Sequence, residues 1–310
     1  MRNLGAVELK ESLDYTSIVD TLDAAYRAAI TVPARSHLTV PVAGEADMTM
    51  LVMPAWDASD FIGIKLVNVA PDNAKRRLPS VQATYQLFSR VTGEPVALID
   101  GTELTARKTA ASSALASRYL SCADASSLLM VGTGVLAPHL INAHATVRPI
   151  NRVRVWGRNS EKAAAVAGRL EPMDASVDVV TNLDAAVLEA DIISTATLAT
   201  EPLIRGELLR AGQHLDLVGA FTPDMREADD DCVTRARLYI DTEEAIKKTG
   251  EICDPITRGV SSEKDIVADM FAVVRGEAQG RGGRDEITLF KSAGSALLDL
   301  ATAALAYERA

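Results

Sequence analysis

The run LLMVGTGVLA at 128–137 constrains this chain more than any other stretch. A short apolar segment ends on Gly132-Thr133-Gly134-Val135-Leu136-Ala137 and gives way to an Ala-rich segment. A GxGxxA element in that setting needs one glycine for the tight turn and a second where backbone approaches a pyrophosphate. Its small third residue lets the following helix pack close to the strand. The helix start then offers unpaired N–H groups and a partial positive charge to an anion. Behind this run the pattern repeats, with apolar runs at 152–157, 177–180, 191–195, 215–219 and 237–241. Ala-rich segments at 135–147, 161–170 and 184–190 are long enough to be crossover helices. Short β-rich runs alternating with helices read as parallel βαβ units covered on both faces. The middle of the chain is therefore expected to be a doubly wound α/β sheet carrying a dinucleotide. A glycine turn in a cofactor-free sheet is the competing reading.

The end of the second strand separates the two common dinucleotides. A site for NAD usually closes this strand with Asp or Glu on the ribose 2′-hydroxyl. Here it reads Trp156-Gly157-Arg158-Asn159-Ser160, with no carboxylate before Glu161. A 2′-phosphate would meet a guanidinium at Arg158 and polar groups at Asn159 and Ser160. That favours NADPH, with NADH as the open alternative; otherwise Arg158 is a solvated strand end. Two further strand ends, Ser194-Thr195-Ala196-Thr197 and Gly219-Ala220-Phe221, should face the nicotinamide, because ligands sit at the carboxyl edge of an open parallel sheet.

The first hundred residues follow another architecture. After a helix expected around 16–30, the runs HLTVPV, MTMLVMPAW, IGIKLVNV and VQATYQLFS are strand-like and broken by Pro, Gly and Asp. A turn at Thr92-Gly93 introduces the hairpin arm EPVALID. A mostly antiparallel sheet with helices is expected, followed by an Ala-rich helix over 100–120. The tail SALLDLATAALAYE is a strong helix whose packing partner periodicity leaves open.

The 310 residues suffice for about two domains. A net charge of −10 opposes a sequence-independent nucleic-acid binder, which needs a basic face, and opposes docking to anionic lipid. No apolar run approaches the ~20 residues of a membrane span, and the N-terminus has no apolar signal core. Cys122, Cys232 and Cys253 form no CxxC pair, which fits a reducing cytoplasm. His37, His139, His144 and His214 show no metal-ligand spacing and read as packing or surface residues, so no metal is expected.

Several cations stand out. Arg35 lies in VPARSHL, and Lys65 interrupts the apolar strand IGIKLV, where an ammonium must reach a carboxylate or a ligand. In ELTARKTAASSALA, Leu104, Lys108, Ala111 and Leu115 share one helical face, and Lys108 is its only charge. Arg107 lies about 100° away and is expected in a surface role. Taken singly, each cation is as readily a salt-bridge partner; together with a nicotinamide site they indicate a pocket for a carboxylate substrate.

With IGIKLVNVAPDN, TGEPVALIDGTELTARKTAASSALA, GTGVLA, LVGAFTPDMREAD and LFKSAGSALLDLA in that order, the chain resembles the ornithine cyclodeaminase/μ-crystallin family over nearly its whole length. The resemblance implies a homodimer whose subunit has a Rossmann-type doubly wound parallel sheet (119–291) and an α+β platform and dimerisation domain (1–118 and 292–310). It implies that Arg35, Lys65 and Lys108 bind the substrate and that Ser292 joins the cofactor residues. Lys65, with a pKa lowered by burial and neighbouring cations, is the expected catalytic proton donor or relay; solvent is the alternative source and would leave it a positioning role. The family's carboxylate-binding position is usually Arg in LTAxRT; LTARKT places Lys108 there, a point charge in place of a fork. Ornithine cyclodeaminases also carry an acid after the strand corresponding to LDLVG, where this chain has Phe221. Phenylalanine cannot accept a proton or orient water, so ammonia loss from ornithine is poorly supported. Asp224 and Arg226 are then expected to cap the loop. The form GAFTPDMRE is similar to the ketimine reductase branch. The expected substrate is a small cyclic imino acid, such as Δ1-pyrroline-2-carboxylate or its six-membered homologue. Ornithine cyclodeaminase with NAD+, an acyclic amino-acid dehydrogenase and a non-catalytic NADPH-binding protein are the alternatives.

Overall fold

The computed structural model describes residues 1–28, 30–57 and 60–310. The chain divides into two compact units, Met1–Lys108 with Ser295–Ala310, and Thr109–Gly294. Among the described residues no helix is long and apolar enough to cross a membrane.

The first unit begins with β1 (Arg2–Leu4), α1 (Ala6–Ser12) and α2 (Tyr15–Arg27). Asp14 caps α2 by accepting the Ser17 N–H at 2.8 Å. Ile18, Val19, Leu22, Ala25 and Tyr26 recur at helical spacing and give α2 one buried face. The sheet strands follow as β2 (Ile30–Thr31), β3 (Ser36–Val40), β4 (Met48–Asp57), β5 (Phe61–Val69), β6 (Val81–Ser89) and β7 (Pro95–Asp100). They form a seven-stranded sheet in the order β1-β7-β6-β5-β4-β2, with β3 also pairing β4. All pairings are antiparallel except β1 with β7. Register sets two faces, because side chains alternate along each strand. Met53, Lys65, Tyr85 and Ile99 form one ladder on the buried face, and Pro54, Ile64, Gln86 and Leu98 form one on the other. The helix α3 (Gly101–Leu120) carries the chain across the boundary at Lys108.

The second unit contains β8 (Ser127–Val131), α4 (Leu136–Val147), β9 (Arg152–Trp156), α5 (Ser160–Ala167), β10 (Ser176–Val179), α6 (Leu183–Glu189), β11 (Ile192–Thr195) and β12 (His214–Leu217). It continues with α7 (Asp230–Arg235), β13 (Arg237–Ile240), α8 (Glu244–Lys248), α9 (Gly250–Thr257), β14 (Ile266–Asp269), α10 (Met270–Arg275) and β15 (Thr288–Lys291). The eight strands are parallel, in the order β10-β9-β8-β11-β12-β15-β13-β14. This is the Rossmann-type doubly wound sheet expected from the alternating runs, with its switch point between β8 and β11. One feature was not legible: β15, the last strand in sequence, inserts between β12 and β13. The core lies where Leu129, Val131, Ile193, Leu215, Leu217 and Leu289 meet the covering helices.

The tail forms α11 (Ala296–Arg309), capped by Ser295, and returns to the first unit, where it packs on α2, β4 and β5. That answers the question its periodicity left open.

Candidate functional site

In the second unit, every residue expected to hold a dinucleotide lies at the carboxyl ends of β8, β9, β11, β12 and β15, in the loops, in the last residue of β11 or in the first residues of α4 and α5. Gly132 has φ +127°, and a Cβ there would stand 2.4 Å from the Ala196 carbonyl oxygen. The loops after β8 and β11 therefore meet at the switch point only because residue 132 is glycine. At Gly134 nothing lies within 4 Å of a would-be Cβ, so the backbone is open to a ligand. No side chain caps α4, which follows Val135 directly, and its first N–H groups keep their anion-binding capacity. An open glycine, an uncapped helix start and a switch point together fit a pyrophosphate.

After β9, Arg158, Asn159 and Ser160 are all exposed. Asn159 caps α5 through its Oδ1, which accepts the Lys162 N–H at 2.9 Å and leaves the amide nitrogen as a donor. Beyond β11 and β12, Thr195 and Ala220 are buried, Ala196, Thr197 and Gly219 are half-buried, and Phe221 is 58% exposed. Ser292 follows β15 and donates to Asp241 Oδ2 at 3.2 Å, and the same oxygen accepts the N–H groups of Ala293 and Gly294. Asp224 accepts the Thr222 hydroxyl at 2.6 Å, while Arg226 pairs with Asp230 at 2.9 Å and Asp254 at 2.7 Å. These bonds hold the loop after β12 in place.

The first unit gathers the cations. Lys65 points from β5 onto the face covered by α11, and its Nζ lies 2.6 Å from Asp299 Oδ2. Lys108, at the eighth position of α3, places its Nζ 3.8 Å from Asp299 Oδ1. Arg35, half-buried between β2 and β3, acts electrostatically on both Lys65 and Asp299. Lys65, Lys108 and Asp299 are buried. Burial lowers the Lys65 pKa to about 8; Asp299 opposes that shift, and Lys108 and Arg35 reinforce it. Burial would raise the Asp299 carboxyl, but Lys108, Lys65 and Arg35 hold it below its ordinary value. Two buried ammonium groups share one carboxylate, so the lysine pair retains positive charge for an incoming anion.

The expectation for Arg107 is corrected. It is buried rather than exposed: Nε donates to Glu103 at 2.7 Å, Nη1 donates to the Leu13 carbonyl at 2.7 Å, and the guanidinium lies over the Tyr15 ring. The wheel angle that separates it from Lys108 turns it toward the α1–α2 corner. Two acids escaped the sequence reading. Asp299 is the single acid in the apolar run SALLDLATAALA, a signal of the same kind as Lys65 in its strand. Glu227 is fully buried beside Thr197 and Gly219.

A glycine-edged Rossmann-type sheet joined to a unit with a buried cation cluster defines a two-unit protein of the dinucleotide-dependent enzyme class. The chain belongs to the ornithine cyclodeaminase/mu-crystallin family, whose sequence pattern matches residues 2–310. It is 35% identical to the Δ1-pyrroline-2-carboxylate reductase of Colwellia psychrerythraea, over 98% of this chain and 97% of that one. Among solved structures, it is similar to the Thermococcus litoralis Δ1-pyrroline-2-carboxylate reductase in complex with NADH and L-proline. The TM-score is 0.92 at 32% identity, with 100% of this chain and 97% of that one covered. An archaeal alanine dehydrogenase dimer with bound NAD matches with a TM-score of 0.90 at 27% identity, over 100% of this chain and 95% of that one.

Proposed function

We propose that this oxidoreductase reduces the C=N bond of a cyclic α-imino acid with NADPH, converting Δ1-pyrroline-2-carboxylate to L-proline and its six-membered homologue to L-pipecolate. The observation that carries the reading is the buried Lys65 and Lys108 pair sharing the Asp299 carboxylate, with half-buried Arg35 acting on the same cluster. A passive cofactor-binding protein has no need to desolvate two lysines beside one carboxylate, whereas a carboxylate substrate supplies a second negative charge.

When bound, the reduced nicotinamide supplies the hydride that the imine carbon receives. Arg35 and Lys108 hold the substrate carboxylate and fix its angle, and Lys65 protonates the imine nitrogen or keeps the proton on it. A Lys65 pKa of about 8 suits that task near neutral pH, because the group is charged yet gives up its proton readily. Arg158, with the donors of Asn159 and Ser160, supports NADPH over NADH. Similarity to relatives named for this reaction supports the substrate class.

The outer face of the first unit's sheet supports a homodimer. Trp56, Ile62 and Phe88 form one of its ladders, and α11 packs on the opposite face, with α2 against α11. The alanine dehydrogenase with the similar fold is a dimer. Cys122, Cys232 and Cys253 are free thiols, which fits the cytoplasm.

The test is loss of NADPH absorbance with Δ1-pyrroline-2-carboxylate, run beside NADH and beside ornithine with NAD+. Imine-dependent oxidation without ammonia release is expected. Ammonia from ornithine without imine reduction would transfer the protein to the cyclodeaminases and remove the meaning given to Phe221. Tight NADPH binding with neither reaction would leave a binding protein.

A further inference from the structure

Near the carboxyl ends of β11 and β12 the side chain of Glu227 ties the two loops together, beside the backbone bond from the Arg226 N–H to the Ala199 carbonyl at 2.8 Å. Its Oε1 accepts the Thr197 N–H at 2.6 Å and the Thr197 hydroxyl at 2.8 Å, and its Oε2 accepts the Gly219 N–H at 2.7 Å. All three partners are donors, so both oxygens act only as acceptors, which is the hydrogen-bonding pattern of an ionised carboxylate. The approach is close enough to dictate sequence: a Cβ on Gly219 would stand 2.2 Å from the Thr197 carbonyl and 2.5 Å from Glu227 Oε1. Behind Glu227 lies a second buried layer. Glu251 of α9 accepts the Glu227 backbone N–H through Oε1 at 2.5 Å, and its Oε2 lies 3.3 Å from Lys291 Nζ of β15. Glu227, Glu251 and Lys291 are all fully buried, and the reduction chemistry uses none of them. On the ligand side the same loops present Leu198, 73% exposed, and Phe221.

We propose that Glu227 is a positioning residue that, in its ionised form, clips the two nicotinamide-facing loops together, and that its protonation releases them and weakens dinucleotide binding. The inference rests on the dinucleotide reading of the second unit. The groups facing Glu227 are Lys291 from β15, Glu251 from α9, Thr195 from β11, and Thr197 and Gly219 from the two loops. Burial raises the Glu227 pKa and Glu251 adds to the rise, while Lys291 and the threonine hydroxyls oppose it. A proton on either oxygen turns an acceptor into a donor facing an N–H, and one loop loses its anchor. As pH falls through the pKa of this group, the fraction of clipped loops falls with it.

Glu227→Gln reproduces the neutral state permanently, because one of its two ends is always an NH2 group. Dissociation constants for NADPH and NADH, read by nicotinamide fluorescence across acidic to mildly alkaline pH, are the first measurement. The variant should bind about 10- to 100-fold more weakly than wild type at alkaline pH, the loss of one charge-assisted hydrogen bond. Wild-type affinity should fall toward acid pH, and the variant's should stay flat. Glu227→Asp keeps the charge and should retain part of the pH dependence. Amide hydrogen exchange without ligand is the second measurement, and in Glu227→Gln it should accelerate at 197–199 and 219–221 above all. If Glu227→Gln fails to fold, the wild-type exchange rates at those amides must rise as pH falls, after correction for intrinsic exchange. Equal affinity and parallel pH dependence in wild type and variant would overturn the clip, as would unchanged exchange at both loops. Failure of wild type to bind either dinucleotide would instead overturn the dinucleotide reading, with the exchange data still deciding the clip.

Discussion

Asp299 Oδ2 lies 2.6 Å from Lys65 Nζ, and its other oxygen lies 3.8 Å from Lys108 Nζ. One buried carboxylate on α11 thus pairs with Lys65 and lies close to Lys108. Removing either partner of such a pair leaves charge buried without compensation, which costs about 3–5 kcal/mol.

The pH dependence of turnover follows from this pair. The Lys65 pKa is lowered to about 8, so the ammonium is present below that value and lost above it. A protonated imine needs that ammonium, so kcat should hold steady below about 8 and fall about tenfold per pH unit above it. Asp299→Asn removes the charge that opposes the downward shift, and the alkaline limb should move to lower pH by about one unit or more. Lys65→Met should cut turnover while leaving NADPH binding intact. An Asp299→Asn profile that superimposes on wild type would show that Lys65 titration does not control the rate.

Cofactor choice should follow Arg158. The side chain is exposed and follows β9, and Glu161 is the first carboxylate after it. Arg158→Asp should weaken NADPH binding about 10- to 100-fold, the value of one or two charge-assisted hydrogen bonds, while NADH binding changes little. Parallel titrations of both nucleotides check this. Equal losses for the two would place Arg158 outside the 2′-phosphate site.

How much of this was legible before folding depends on range. The parallel strands β8 to β13 fall within a residue or two of the apolar runs, because the hydrophobic run of a strand covered on both faces is nearly continuous, whereas β14 matches no run singled out in the sequence. The glycine loop was legible because the close approach of Gly132 to Ala196 admits no side chain. What local pattern could not supply was pairing at a distance. Lys65 announced that it needed a partner, but Asp299 comes from the other end of the chain and arrives only because α11 packs on β5. The insertion of β15 between β12 and β13 is non-local in the same way. Arg107 was misplaced because a helical wheel gives an angle and not a neighbour; the Leu13 carbonyl and Tyr15 ring that receive it belong to the α1–α2 corner. Glu227 was hidden because a buried acid in a polar loop leaves no mark in hydropathy.

The sheet of the first unit should govern oligomeric state. Leu66 is 37% exposed on the outer face, in register with Val52 and Thr84. A face that apolar along its central strands is of the kind that marks an interface. Leu66→Glu would bury a charge at that contact, and light scattering after gel filtration should shift from dimer mass to monomer mass. A variant that stays dimeric at micromolar concentration would move the interface elsewhere.

Acid stability should be set in part by His214, which is fully buried on β12. Its Nδ1 lies 2.9 Å from Thr288 Oγ1, and that hydroxyl already donates to the Leu120 carbonyl at 2.8 Å. Nδ1 must therefore carry the hydrogen, and Nε2, which has no partner among the described residues, must stay unprotonated. Burial lowers the pKa of His214 from 6.5 to about 3; Asp216 opposes the shift, and His144, Arg281 and Arg148 reinforce it. The unfolded chain takes up a proton near pH 6.5 that the folded chain refuses until about 3, so stability is complete above 6.5 and declines as pH falls below it. The slope approaches roughly 1.4 kcal/mol per pH unit in that window. His214→Asn keeps a donor for Thr288 Oγ1 but takes up no proton. Between pH 6.5 and 4.5 its melting temperature should therefore decline less steeply than that of wild type, by several degrees over the range. Parallel declines would assign the acid sensitivity to carboxylates instead, and His214 would be a packing residue without a titration role.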